Sequence, residues 1–564
     1  MKFGFVAERM QVNMIAMSDV DGGFKFRNIA DFFANQPGSF IATLPGLLTP
    51  RGVRQTLLGG YVQDDWRFRR NLTLNLGLRY EITTVPTEVQ GKLSTLINMT
   101  DSQPHLGNPF FSNPTLHNFE PRVGFAWDPF NSGKTAVRAS FGMYDVLPLP
   151  YQFTLLTTRS APFYIGGTTS SLPQGTFYTG ALAQLQGDSH AATYIEQKPK
   201  RNYVMQWNLN VQREIVPSLT ATLGYVGSHG VHDPFRIDDT NIVLPTVSSA
   251  GYVWPSPVAS GTLINPNFGQ IRSMWWAGSS LHHALELGVT EQIGRSLLVR
   301  GSFTWSKSID DSSSTVAGDA FANSPSSLHW ANAMGGLDVK QNRGLSDFNV
   351  GRNLVVSGTW QMPRFKSINQ TAGWFLNGWA LGTILKVSDG VPFTPTFGTN
   401  GGDPLGLNSS DPWAYPSRLT GPGCHSPINP GNPNNYIKTE CFAIPTAPSA
   451  DFYAANCDLT IGTYPHCFNL GGNAGRNILI GPGLTNLDFS VFKNFSVSRI
   501  SETFHVQFRA EIFNILNHAN FAVPVAPDNT DIFNADGTSN SAAGALTSTI
   551  TSARQVQLGI KVIW

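Results

Sequence analysis

Charge is scarce in this chain. Asp, Glu, Lys and Arg make up 13% of 564 residues and nearly cancel, leaving a formal net charge of +1. So few charges do not cover an ordinary soluble surface of this size, and without a basic excess no nucleic-acid partner is expected. Long apolar runs are missing too: 41% of the residues are hydrophobic, yet no stretch approaches the roughly 20 apolar residues of a membrane helix. If the chain crosses a membrane, it must do so with strands. There is no nucleophile elbow, phosphate loop or HExxH pair, and Ser, His and Asp are too dispersed for a triad, so neither an enzyme nor a bound cofactor is expected. The opening MKFGFVAERMQVNMIAM carries Glu8 and Arg9 in its middle and lacks a small-residue cleavage site, so it reads as a strand, not a secretory leader. The four cysteines, Cys424, Cys441, Cys457 and Cys467, share one Pro/Gly/Asn-rich segment without CxxC spacing. Disulfides in an oxidising compartment suit them better than a metal. Of the three connectivities, the neighbour pairing Cys424–Cys441 and Cys457–Cys467 is expected.

What the chain has in abundance is alternation. At its end, Val556, Leu558, Ile560, Val562 and Trp564 alternate with Gln555, Gln557, Gly559 and Lys561. This is the period of two of a strand with one apolar and one polar face. Leu72, Leu74, Leu76, Leu78 and Tyr80 do the same opposite Thr73, Asn75, Gly77 and Arg79, and the tight turn Arg69, Arg70 and Asn71 joins them to a preceding strand, Gln55 to Phe68. Hairpins recur at 119–144, 202–226, 283–306, 348–387 (with a turn containing Pro363) and 484–513, giving a meander of roughly fourteen strands, several long enough to span a bilayer when tilted.

The connections carry the decisive signal. Tight turns alternate with long excursions, at about 18–53, 84–118, 146–200, 228–280, 308–346, 389–483 and 515–553. Structureless loops of that size are uncommon in compact soluble domains. An outer-membrane barrel has this alternation because short turns face the periplasm and long loops face outside. With a periplasmic C-terminus, every long connection falls outside. The expected fold is therefore all-β, an antiparallel transmembrane meander barrel over 1–564, with 390–483 a long cysteine-containing external loop.

Several stretches carry a family resemblance: YVQDDW (61–66) with LTLNLGLRY (72–80), FEPRVGFAWDP (119–129), FTWSKSIDD (303–311), NRGLSD (342–347), GRN (475–477) with GPG (481–483), FRAEIFNILN (508–517) and the final RQVQLGIKVIW. In this order they resemble the barrel of Oar-like TonB-dependent outer-membrane transporters. The resemblance implies a barrel of about 22 strands around a plug, energised through the TonB complex, and assembled by the barrel-assembly machinery acting on the C-terminal strand. No plug, TonB-contacting box or carboxypeptidase-regulatory-like domain is found before the first strand, so the resemblance is to a C-terminal barrel portion of about 14 strands. The expected function is capture of a small ligand (glycan, peptide or metal chelate) by external loops and its uptake. The alternatives are a surface adhesion or structural protein anchored by the same barrel, and a secreted all-β binding protein with its apolar faces packed on a second sheet.

Individual constellations have bland readings beside sharp ones. His229, His232 and Asp233 have metal-like spacing but start a long loop without a third partner, so a solvated loop is favoured. Asp310 and Asp311 could join Asp319 around calcium, though a polar strand end is favoured. Trp275 and Trp276, placed in an external loop, could stack on a ligand; an aromatic girdle is the favoured reading, and it suits Trp66, Trp305, Trp360 and Trp379 as well. Glu286, Arg300, Arg509 and Glu511 are expected on the lumen side.

Overall fold

Alternating residues point to opposite sides of an extended chain, so a run with one apolar and one polar set is stable only as a strand with two unlike surroundings. A computed structural model shows fourteen such strands. It describes the whole chain except residues 16–21, 27–28, 44–49, 108–109, 159, 171, 177, 186–190, 238, 295, 314–341, 366–368, 401, 409–412, 497–503 and 564. The strands are β1 (Lys2–Met14), β2 (Arg51–Arg69), β3 (Leu72–Thr83), β4 (Phe119–Trp127), β5 (Thr135–Asp145), β6 (Tyr203–Val216) and β7 (Leu219–Ile237). They continue as β8 (Ile271–Ile293), β9 (Leu297–Asp310), β10 (Arg352–Gln361), β11 (Trp379–Ser388), β12 (Leu484–Ser496), β13 (His505–Phe513) and β14 (Gln555–Ile563). Each pairs antiparallel with the next. Among the described residues no register joins β14 back to β1.

Register turns the sequence pattern into two surfaces. Leu72, Trp127, Val137, Val211, Leu223, Leu287, Phe303, Leu354 and Val387 occupy one continuous row across β3 to β11. On the other face, Thr73, Ala126, Arg138, Asn210, Gly224, Glu286, Thr304, Asn353 and Ser388 form the neighbouring row. The first row is apolar in every strand, the second small or polar. No second sheet covers the apolar side among the described residues: Leu76, Leu209, Leu223, Leu287 and Val289 are all exposed. Exposed aromatics mark both ends of this band. On β4, Phe119 and Trp127 stand at its two ends, about 26 Å apart along the strand. On a strand tilted by about 40° this is a rise of about 20 Å, most of a membrane barrel's apolar band of about 25 Å, with aromatic girdles at either margin.

The short connections 70–71, 128–134, 217–218 and 294–296 lie at one end of the sheet and the seven long ones at the other. The long ones are ordered where described, and they bury a core of their own. Trp254, Phe393, Phe397, Leu407, Trp413, Tyr436, Ile437 and Phe468 pack together, drawn from the connections after β7 and β11, with Ile532 from the one after β13. A second core joins Leu93, Phe110, Phe111, Leu156 and Ile195 to Met274 and Trp276 of β8. Such loops have no periodicity to reveal a core, because their apolar residues converge from distant points of the chain.

Several boundaries differ from expectation, among them the starts of β2, at Arg51 and not Gln55, and of β10, at Arg352 and not Phe348. β7 continues to Ile237 and β8 starts at Ile271, so the connection 228–280 contracts to 238–270 and the Trp275–Trp276 pair lies in a strand. The pairing continues through a bulge between Val231 and Asp233, which breaks the alternation in sequence. Trp374, expected at the start of a strand, belongs to a helix, Gln370–Leu376.

Candidate functional site

The end bearing the long connections is fastened to the strands by a charge network. Three motifs distant in sequence meet there: the end of β9 (Asp310, Asp311), the segment 342–347, and Arg476–Asn477 of the connection after β11. Arg476 Nη2 lies 2.5 Å from Asp310 Oδ1 and 3.3 Å from Asp347 Oδ1. Its Nη1 donates to the backbone oxygens of Asn342 (2.9 Å) and Asp310 (3.1 Å). Asn477 Nδ2 donates to Asp347 Oδ1 (2.6 Å) and to the Leu345 carbonyl (2.7 Å). Ser313 Oγ donates to Asp310 Oδ2 at 2.7 Å and accepts from the Asp347 backbone N–H at 2.9 Å. Arg343 Nη1 pairs with Asp311 Oδ1 at 3.1 Å. Gly344 permits this closeness, since a Cβ there would stand 2.7 Å from the Arg476 carbonyl oxygen. The Arg476, Asp310 and Asp347 side chains are almost wholly buried. Burial opposes the charge on Arg476, but Asp310 and Asp347 outweigh it and raise the guanidinium; burial likewise pushes the Asp347 carboxyl up against the pull of Arg476.

Next to this network stands Asp233. Fourteen residues beyond the first residue of β7, it is about 46 Å along the strand, well above a 25 Å apolar band even after tilt. Its Oδ2 accepts from Ser280 Oγ at 2.8 Å. Gly230 leaves the room, because a Cβ there would come within 2.3 Å of both atoms. Burial, with Asp310 and Asp311 nearby, pushes Asp233 up to about 6 against the Ser280 hydrogen bond.

Below the network, a hollow of about 280 Å³ on the polar face is lined by His282, Thr304, Ser306, Ser308, Asn353 and Lys386, with Phe348 at its side. A larger one of about 420 Å³ is lined by Asp65, Asn75, Arg122, Arg138 and Asn208 together with Val123, Phe125 and Phe141. These walls offer hydroxyls, amides and charges, which can hold a hydrated solute.

A family model described as "Outer membrane beta barrel domain" matches residues 1–557. The chain belongs to that family. As an outer-membrane barrel protein, it has its apolar row toward lipid and its polar row toward the lumen. Among curated proteins, the TonB-dependent transporter Oar of Myxococcus xanthus is 34% identical over 95 residues, 17% of this chain and 7% of that one. Similar solved structures include the Escherichia coli outer membrane transporter YddB (13% identity, TM-score 0.44, 92% of this chain and 46% of that chain). The F5-1 variant of the iron transporter FrpB of Neisseria meningitidis matches at 12% identity and TM-score 0.41, over 99% of this chain and 52% of that one. The ferric enterobactin receptor PfeA of Pseudomonas aeruginosa matches at 9% and 0.40, over 100% and 54%. This chain spans about half the length of those structures.

The outer-membrane barrel protein distributes its expected site residues unevenly. Cys424 is bonded to Cys441 and Cys457 to Cys467, and all four are buried within the loop cores. His229 Nε2 meets Ser279 Oγ at 3.4 Å, His232 Nδ1 meets the Arg201 carbonyl at 2.9 Å, and Asp233 turns to Ser280, so the HGVHD groups go separate ways. Among the described residues no group of three or more His, Cys, Asp or Glu is placed to hold a metal ion. Asp310 and Asp311 are taken by arginines, and Asp319 lies outside the described residues. Trp276 is 1% exposed in the second loop core and presents no face to ligand or lipid; Trp275 packs on Tyr194 at 4.8 Å. Trp66, Trp305 and Trp360 are exposed on the apolar face, as a girdle requires, while Trp379 is half-covered beside Lys493. Glu286 and Arg300 face the lumen, as do Arg509, which donates to Gln507 at 2.6 Å, and Glu511. Val556, Leu558, Ile560 and Val562 form the exposed apolar face of β14; Trp564 lies outside the described residues. Reading the sequence missed Arg476 as the common counter-ion, although a lone arginine in GRN within a charge-poor chain was a usable signal.

Proposed function

We infer that this protein is an outer-membrane transport barrel whose external cap captures a small ligand and whose polar lumen admits it. One observation carries the reading: the long connections are gathered at one end, share buried cores, and are pinned by Arg476 to strands whose inner face is polar. Resemblance to TonB-dependent transporters supports energised uptake. Parity of the connections supports a periplasmic position for the tight turns and the C-terminus. The apolar face of β14 supports recognition of that strand by the barrel-assembly machinery. The cap spans 390–483 and its neighbours, and its Gly-, Asn- and Ser-rich loops suit a glycan, a peptide or a metal chelate.

The test is uptake by cells expressing the intact gene, with candidate ligands of these three classes, in strains with and without a functional TonB complex. Ligand accumulation that stops without TonB supports the reading. Surface binding that neither accumulates nor depends on TonB favours the second reading, an adhesion protein, for which the disulfide-tied cap is the supporting observation.

A further inference from the structure

The connection between β10 and β11, residues 362–378, leaves the sheet at the tight-turn end yet contains the helix Gln370–Leu376. Asn369 starts it, its Oδ1 accepting from the Ala372 N–H at 2.8 Å. The helix ends in three consecutive apolar residues, Trp374, Phe375 and Leu376, which are 53%, 60% and 50% exposed. Phe365, 58% exposed, is held beside them by Asn377, whose side chain accepts from its N–H (2.7 Å) and donates to its carbonyl (3.2 Å). In water this cluster would leave a contiguous apolar surface wetted, at a cost that burial in an apolar phase removes.

Lys493 explains how the helix is held. In register it sits between Trp379 and Phe508 on the apolar face, where a charge is out of place. It is 3% exposed, and its ammonium donates to the carbonyls of Trp374 (2.9 Å), Phe375 (3.1 Å) and Asn377. Those at the helix C-terminus lack intrahelical partners and form the negative end of its dipole. The rings of Trp379 and Phe495 flank the ammonium at 5.1 and 5.0 Å, Trp379 Nε1 donates to the Phe375 carbonyl at 2.8 Å, and Trp374 packs on Phe495 at 4.7 Å. The C-terminal end of the helix is thereby strapped against the outside of the sheet.

We propose that Phe365 and the helix Gln370–Leu376 form an interfacial anchor. The helix lies in the headgroup layer of the leaflet on the tight-turn side, with Trp374, Phe375, Leu376 and Phe365 entering the acyl boundary and Lys493 as the strap. The occupant of this apolar surface is phospholipid. The surface is continuous with the lipid-facing band through exposed Trp360 at one end and Trp379 at the other, and exposed Arg364 beside Phe365 suits a lipid phosphate. The inference rests on the reading that the apolar row meets lipid.

The full chain is reconstituted in phosphatidylethanolamine–phosphatidylglycerol vesicles whose acyl chains are brominated near the headgroup end, and tryptophan fluorescence is compared between the unaltered protein and Trp374→Phe. The expected result is quenching of the difference signal by bromolipid and not by aqueous iodide added to both sides of the bilayer. In Lys493→Met, the component lost on adding Trp374→Phe moves from lipid quenching to iodide quenching. A Trp374 component open to iodide in the unaltered protein, as on a surface for a soluble partner, overturns the anchor; an unchanged component in Lys493→Met overturns the strap. The exposed tryptophans Trp66, Trp127, Trp305 and Trp360 separate the two readings. If bromolipid quenches them while Trp374 is spared, the anchor alone fails; if none is quenched, the lipid-facing row fails with it.

Discussion

Arg476 and Asp310, 166 residues apart in sequence, make a buried ion pair of 2.5 Å that ties the longest connection to the end of β9. Replacing Arg476 by Met leaves Asp310 and Asp347 without their shared cation, a change that costs about 3–5 kcal/mol at a buried site. Hydrogen exchange should rise at 342–347 and 475–477 while β3–β6 keep their protection. Arg476→Lys should rescue little, because one ammonium cannot reproduce the fork that reaches two carboxylates and the Asn342 and Asp310 carbonyls at once.

Asp233 makes the rim pH-sensitive. Its folded-state pKa, about 6, lies above its ordinary value of 3.8, so the neutral form is the one the fold prefers. Its stability contribution is fully present below the ordinary value and is lost as pH rises through about 6, with a penalty on the order of 3 kcal/mol. Exchange protection around the β7–β8 bulge should fall between about pH 4 and 6.5 and level off above that. Asp233→Asn, which keeps a partner for Ser280, should flatten that dependence.

The disulfides close loops of 17 and 10 residues within the cap. Each should stabilise it by about 3 kcal/mol through the chain entropy it removes from the unfolded state. Reduction should lower the thermal midpoint of the cap, followed by fluorescence of buried Trp254 and Trp413, and leave the strand transition in place.

How much of this was legible in the sequence follows from where periodicity exists. Leu72 to Tyr80 and Val556 to Val562 alternate cleanly, and there strand and face agree with expectation. Alternation fails at the Val231–Asp233 bulge, so the upper parts of β7 and β8 were read as loop. Only Asn377 and Gly378 separate Trp374, Phe375 and Leu376 from Trp379, so the segment reads as the start of the following strand, which hid the helix. The loop cores were invisible because Trp254, Phe393 and Phe468 come together only through tertiary contact. The same holds for Arg476, whose partners lie in two other segments.

Leu287 sits about midway across the apolar band. Leu287→Arg should cost about 2–4 kcal/mol of folding free energy in bilayers, measured by urea titration in lipid vesicles. Thr290→Arg, on the lumen face opposite Arg300, should cost less.

The central claim is that the apolar row meets hydrocarbon and the polar row meets water. The most direct measurement is paramagnetic accessibility of nitroxide labels placed one at a time along β8, from Glu286 to Val289, in the reconstituted protein. The account predicts that molecular oxygen reaches Leu287 and Val289 while a water-soluble nickel chelate reaches Glu286 and Gly288, with strict alternation. Equal chelate access at all four positions, or no oxygen access at Leu287 and Val289, would contradict it.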